Sequence, residues 1–419
     1  MTNDNQHIPS GYKPSPLGLI PEDWEVKTIG ECTNLLTNGF VGVATPHYTE
    51  DPDGITYIQG FNVTEGGFNL TGIKKVTRAF HKKNSKSSLR EGDLLTIQTG
   101  DIGLTTIVTK ELEGSNCHAL IISRFKEMIL PQFMLYYYNS SIGRNRFRVI
   151  ETGTTMKHIN TGDLVKFSIP VPSQPEQQRI VSVLSLWDAA IAKQTALIEQ
   201  LTLRKRGLMQ QLLTGKKRLK GFWGEWSYHK IQDHFSEIRD KNDGKGHIPM
   251  TISAKLGLVS QTHKFDRVVA GNSLDKYTLL RKDDFAYNKG NSNLYEMGCI
   301  YRLKEDSAVV PFVYICFRAI DNTCCEFYQQ FFINHGLDKQ LKQIITSGAR
   351  GDGLLNVSSD DFMALKIPYP KIDEQKAIAS ILTDADKEIK IQKQKLAAMQ
   401  AQKKGLMQVL LTGKRRIRK

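Results

Sequence analysis

The sequence predicts an α+β protein built twice, each α/β block being followed by one long helix. Three observations predict it. Shifting the chain by 198 residues lays residues 172–219 on residues 370–417 without a gap, and 20 of those 48 positions are identical. Apolar residues in both copies recur at spacings of three and four, the period of a helix with one buried stripe. Ahead of each copy lies a block of short β-type runs followed by a helical run, so the duplicated unit is block plus helix. The chain divides into an arm (1–20), a first block (21–171), a first constant helix (172–219), a second block (220–369) and a second constant helix (370–419).

The arm is polar, with neither the basic start nor the apolar run of a signal peptide, and reads as loose. In the first block ITYIQG (55–60), DLLTIQ (93–98), LTTIVT (104–109) and ALIIS (119–123) read as strands, and PQFMLYYYNS starts a helix with Pro131 in its first turn. The second block repeats the order with DFAYNKG (284–290), GCIYRL (298–303) and a helix predicted for PFVYICFRA, led by Pro311. Trp24 answers Trp226, and Ile169-Pro170-Val171-Pro172 answers Ile367-Pro368-Tyr369-Pro370.

Pro-rich leaders then hold the chain extended before each long helix starts, with Ser173 and Asp373 as candidate caps. The stripes predicted to pack run through Ile180, Leu184, Trp187, Ile191, Ile198 and Leu201 in one helix and Ile378, Leu382, Ala385, Ile389, Leu396 and Met399 in the other. Both are interrupted at matching places, by Gln194 and Gln392 and by Lys205 and Lys403. The two glutamines are expected to fix register, as a single polar seam residue does in coiled coils. Forty helical residues span about 60 Å, and such a stripe needs a partner, the other copy being nearest. GLMQQLLTGK (207–216) and GLMQVLLTGK (405–414) end the helices at Gly215 and Gly413, with basic residues following at the negative end of the dipole.

Composition narrows the function. Of the net charge of +14, residues 172–219 (8 basic, 3 acidic) and 370–419 (13 basic, 5 acidic) supply +13, which favours a polyanion partner. No run of about 18 apolar residues exists to cross a bilayer, so a cytoplasmic protein without a membrane partner is expected. Six cysteines without a C-x-x-C pair suit reduced thiols better than zinc or disulfides. No glycine-rich cofactor loop, N-P-P-Y-type tetrapeptide, G-x-x-x-x-G-K-[ST] loop or carboxylate cluster with a lysine is present, so no catalytic, cofactor-binding or metal residue is assigned.

Residues 66–90 carry Lys74, Lys75, Arg78, Lys82, Lys83, Lys86 and Arg90, a source of phosphate contacts. Arg144 and Arg146, then Thr154, Thr155, Lys157 and His158, are further candidates for contact with DNA. In the second block Lys264, Arg267, Arg281, Lys282, Asn288, Lys289, Asn291, Asn293 and Arg350 hold comparable positions.

P-x-x-x-EQ-x-x-I at Pro172 and Pro370, the GLMQ-x-LLTGK repeats and the leading tryptophans together resemble the specificity subunits of type I restriction-modification enzymes, over nearly the whole chain. The resemblance implies two target recognition domains separated by two long antiparallel, coiled-coil-like helices and related by an internal pseudo-twofold. It implies a bipartite, asymmetric site on double-stranded DNA, one half per domain, with helix length setting the gap. It also implies partners: two modification (methyltransferase) subunits that carry S-adenosylmethionine, and restriction subunits that use ATP and Mg. Docking of partner subunits is expected on Leu208, Met209, Leu212, Leu406, Met407 and Leu410. The competing readings are a non-catalytic two-domain scaffold that binds something other than DNA and the specificity arm of another restriction system. SGARGDGLLN in the second block needs a small gap to match TGTTMKHIN in the first.

Overall fold

The computed structural model describes residues 8–153, 157–265, 271–290, 295–320, 322–345 and 355–417. The chain forms two compact units, residues 1–195 with 394–419 and residues 196–393. Each unit therefore holds one block and parts of both long helices (Gln174–Leu212 and Ile372–Leu410).

In the first unit a four-stranded antiparallel sheet has the order Thr105–Ile107, Leu94–Ile97, Leu120–Phe125, Thr33–Asn38. The second unit repeats it as Cys299–Arg302, Phe285–Asn288, Ile315–Ala319, Phe235–Glu237. One polar pair sits at the same place in both. Asp93 accepts from the backbone N–H of Arg90 and from both arms of Arg124, at 2.7 and 2.8 Å; Asp284 does the same with Arg281 and Arg318, at 2.6 and 2.7 Å. Both carboxylates are buried, where a bidentate guanidinium and a backbone donor together satisfy an ion that water no longer reaches.

The strands that open and close each block pair with each other, Glu25–Thr28 with Ser168–Val171 and Ser227–Lys230 with Lys366–Tyr369. The chain thus leaves each block where it entered, and the long helix starts at that point. Ser173 stands at the head of the first helix, its carbonyl accepting from Glu176 and Gln177 at 2.9 Å. Asp373 is not the cap: the second helix begins at Ile372, which places this carboxylate in the first turn, where it suits the positive end of the dipole. Both helices end as expected, with Gly215 and Gly413 each at φ +69°, a conformation that costs other residues about 1 kcal/mol or more.

Glu176 and Gln177 in the first turn of one long helix, and Glu374 and Gln375 in that of the other, tie the helices to the blocks. Trp24 donates its indole N–H to Glu176 at 3.0 Å, and Arg416 grips the same carboxylate at 2.6 and 2.7 Å while holding Asp23 at 2.8 Å. In the second unit Trp226 donates to Glu374 at 3.0 Å and Arg218 grips it at 2.6 and 2.7 Å. The hydrogen bond from Arg416 also holds the Asp23 carboxyl below its ordinary range. Gln177 accepts from the N–H of Leu130, the cap of helix Pro131–Asn139, and donates to the carbonyls of Met128 and Pro172; Gln375 accepts from Cys324, the cap of helix Cys325–Ile333, and donates to Pro370. The repeated Glu-Gln is therefore a latch, the glutamate locking the two helices' ends together and the glutamine locking the block's helix to them.

Within each unit the pieces of the two long helices run side by side in opposite directions. In the first, Asp188 holds Lys403 and Glu176 holds Arg416; in the second, Lys205 holds Asp386 at 2.7 Å and Arg204 lies 3.4 Å from Glu388. Lys205 and Lys403 interrupt the apolar stripes because each reaches an aspartate of the other helix. Gln194 is only 6% exposed and Gln392 half-buried; Ile198 and Leu201 are buried, whereas Trp187, Ile191, Ile389, Leu396 and Met399 are half-buried.

Four expectations are corrected. Ile180 and Leu184, like Ile378 and Leu382, are not confined to a helix–helix seam but belong to the core of the adjoining block. Met209 and Leu212, with Leu208 against them, fill the second unit's core, and Met407 and Leu410, with Leu406, fill the first's. The last turns of each helix face a block, so burial within the chain takes Met209, Leu212, Met407 and Leu410 from any docking surface, while Leu208 and Leu406 stay half-buried. PFVYICFRA does not form a helix: Pro311 sits in a turn, Ile315–Ala319 is a strand, and the helix comes later, at Cys325–Ile333. A strand flanked on both sides buries consecutive residues, so its apolar run has no period to distinguish it from a helix. The arm is not loose along Tyr12–Pro21, which folds as a hairpin tied down by Tyr12, whose hydroxyl donates to the Gly413 carbonyl at 2.9 Å.

By length and composition alone the first long helix could cross a membrane. Ile180, Val181 and Leu184 lie in the first unit's core and Met209 and Leu212 in the second's, whereas Leu186, Leu197 and Leu203 are exposed; its glutamate and glutamine form the latch.

Candidate nucleic-acid interface

In the first unit a second, smaller sheet joins Asn116–Cys117, Ile55–Ile58 and Lys74–Val76. Thr77 caps the helix Arg78–Lys83 by accepting from Phe80, and Phe80 is that helix's buried residue. His81 is half-buried against Asn116, Arg78, Ala79, Lys82 and Lys83 face water, and Lys82 and Lys83 in the last turn suit the negative end of the dipole. Lys74, Lys82, Lys83 and Lys86 are exposed and, among the described residues, form no ion pair. Lys75 and Arg78 are partly committed, donating to the carbonyls of Pro52 and Asp53 at 2.8 and 3.2 Å. The result is a cationic ridge on a rigid base.

Two predicted arginines are engaged internally. Arg146 donates to the Tyr137 hydroxyl at 2.7 Å and lies 4.4 Å over the Phe167 ring, and Arg144 binds Asp101. Lys157 is exposed, 3.4 Å from Glu151. His158 pairs through its backbone with Thr152, beside the end of strand Leu94–Ile97, where Ile159 donates to the Gln98 carbonyl. Thr154 and Thr155 lie outside the described residues.

In the second unit Leu355 donates to the Lys289 carbonyl at 2.9 Å, the bond that Ile159 makes to Gln98. That match aligns Leu355 with Ile159 at the end of SGARGDGLLN and TGTTMKHIN. Arg281 and Lys282 are exposed; Asn288 accepts from the N–H of Gly290, and Lys289 reaches the Val357 carbonyl at 3.4 Å. Arg267, Asn291, Asn293 and Arg350, and the Lys264 side chain, lie outside the described residues. The buried aspartate–arginine pairs and the Glu-Gln latch were missed as structural groups, although the matched EQ doublets were visible.

The thiols are not built for reactivity. Burial pushes Cys117 and Cys316 far above the ordinary thiol range, so both stay protonated. Burial likewise holds His118 below its usual value, leaving it neutral near pH 7 beside the Tyr57 hydroxyl, 3.0 Å away.

The type I restriction modification DNA specificity domain family matches residues 21–203 and 277–401, the first block and the later part of the second, each with most of its helix. The chain belongs to this family. Among relatives, the putative type I restriction enzyme MjaX specificity subunit of Methanocaldococcus jannaschii is 26% identical, over 97% of both chains. The type I restriction enzyme EcoKI specificity subunit of Escherichia coli is 21% identical, over 86% of this chain and 82% of its own. A type I restriction-modification system S subunit from M. genitalium shares the fold with a TM-score of 0.52 at 17% identity, covering 92% of this chain and 96% of its own. A chain from a structural study of assembly and conformational transition in a type I R-M system matches with a TM-score of 0.60 at 15% identity, over 94% and 99%. The family accounts for the duplication of block and helix.

Proposed function

We propose that this specificity subunit reads a bipartite, asymmetric site on double-stranded DNA, each unit reading one half, with the long helices setting the unread gap. The observation that carries the reading is one scaffold used twice under unlike surfaces. The aspartate–arginine pair, the latch and the sheet order recur, whereas the cations exposed among the described residues differ, with Lys74, Lys82, Lys83 and Lys86 in the first unit and Arg281 and Lys282 in the second. Identical scaffolds with different surfaces present different donors and acceptors to the grooves, so they select different base pairs. Two modification subunits that carry S-adenosylmethionine, and restriction subunits that use ATP and Mg, supply methyl transfer, translocation and cutting; this chain supplies recognition and spacing. Those partners meet faces of the helices other than the last-turn residues already spent on the cores.

The spacing part is tested by length. Inserting four residues, about one turn or 6 Å, at matching positions of both long helices is expected to lengthen the unread gap by one to two base pairs and leave both half-sites unchanged. Methylated sites mapped in cells carrying the complete system report this. A gap of unchanged length in a folded variant would contradict the helices' role as ruler.

A further inference from the structure

The two units differ most plainly in how the chain passes from the first strand of the four-stranded sheet to the smaller sheet. In the second unit the passage is short, from Glu237 to Ile248, and residues 240–242 run along strand Thr278–Arg281: Asn242 donates to the Tyr277 carbonyl and Leu279 to that of Asp240. In the first unit it runs from Asn38 to Ile55, and residues 47–49 pair instead with strand Lys74–Val76: Thr49 donates to the Lys75 carbonyl and Thr77 to that of His47. To reach that edge the first unit's passage is six residues longer, and it opens with GFVGVATP, residues 39–46.

This loop is firmly held at both ends. Gly39 donates to the Leu120 carbonyl at 2.8 Å, Phe40 to Cys117 at 2.9 Å, and Ala119 back to Phe40 at 3.0 Å. The Phe40 ring meets Phe80 edge-on at 4.9 Å, Ala44 is buried beside it, and the His47 ring stacks on Phe80 at 4.7 Å. Between these anchors Gly42 adopts φ +146°, and Val41 and Val43 are left 65% and 75% exposed. A loop anchored by two rings yet showing water two β-branched side chains gains nothing from them in its own core. Phe80, on which it rests, is the inward residue of the helix whose outward side carries Lys82 and Lys83.

We infer that residues 39–46 are a base-reading element particular to the first half-site, with Val41 and Val43 contacting base edges while Lys82, Lys83 and Lys86 hold the flanking phosphates. The exposed lysines on the helix against which this loop packs fit a polyanion. On duplex DNA the apolar group a valine can read is the thymine methyl in the major groove. The inference rests on the proposed reading of DNA and assigns part of it to named residues.

The test uses the complete chain with its modification subunit. The Val41→Ser, Val43→Ser double variant changes only exposed side chains, and a thermal transition equal to that of the unaltered protein checks its fold. Sites methylated by it are expected to lose about tenfold or more of their discrimination at one position of one half-site, with the other half-site intact. The Lys82→Ala, Lys83→Ala, Lys86→Ala variant is expected to keep its sequence preference while the slope of log affinity against log salt falls by about 2 to 3. If the unaltered protein reads two half-sites but the valine variant reads both as before, this inference is overturned and the proposed function stands. If the unaltered protein shows no two-part site, the underlying reading fails.

Discussion

Replacing Glu374 with alanine is expected to destabilise the second unit by about 3 kcal/mol, the low end of what breaking a buried ion pair costs, because Arg218 retains partial access to water. The carboxylate is buried, receives two arms of Arg218 and is the acceptor for the Trp226 indole. Its loss leaves the N–H of the half-buried Trp226 indole without its acceptor and releases the end of one long helix from the start of the other. Glu374→Gln keeps an acceptor for the indole and should cost less. The matching change Glu176→Ala should also cost less, since Arg416 keeps Asp23 as a second carboxylate. Urea denaturation followed by circular dichroism measures all three, and a Glu374→Ala protein within 1 kcal/mol of the parent would show that the latch is not what joins block to helix.

Exchanging the first block for that of a relative, with both junctions inside the paired strands Glu25–Thr28 and Ser168–Val171, is expected to replace one half-site completely and leave the second half and the gap as they were. The junctions matter because these strands bring the chain back to its starting point, so the exchanged piece meets the helices at one place. Gln177 must still find a free helix N–H at the position of Leu130 in the incoming block. Sequencing of methylated sites checks the result; a change in both halves would refute independent reading.

The duplication, the two long helices and their ends were legible because they rest on short-range signals: period, proline-rich leaders and a terminal glycine. The lysines that interrupt the stripes were visible as interruptions, yet their reason, an aspartate on the other helix, required the antiparallel placement. Met209, Leu212, Met407 and Leu410 misled for a related physical cause. An apolar stripe states that something covers it, not whether the cover is a partner chain or the same chain's own block. Strand Ile315–Ala319 was misread because a strand covered on both faces loses alternation. Arg144 and Arg146 carried the same charge as Lys82 and Lys83 in the sequence, and only the fold shows that the arginines are bound to Asp101, Tyr137 and Phe167 while the lysines face water. The loop at Val41 and Val43 drew no notice, since a short Gly-Val run is ordinary until its side chains are found outside.

The central claim, that one chain presents two unlike readers to one duplex, is tested most directly by mapping every methylated base in a host that carries this chain with its modification partner. The account predicts a single motif of two short, dissimilar fixed halves separated by an unread gap of constant length. Methylation at one continuous motif, at two halves of identical sequence, or at halves whose separation varies from site to site would contradict it.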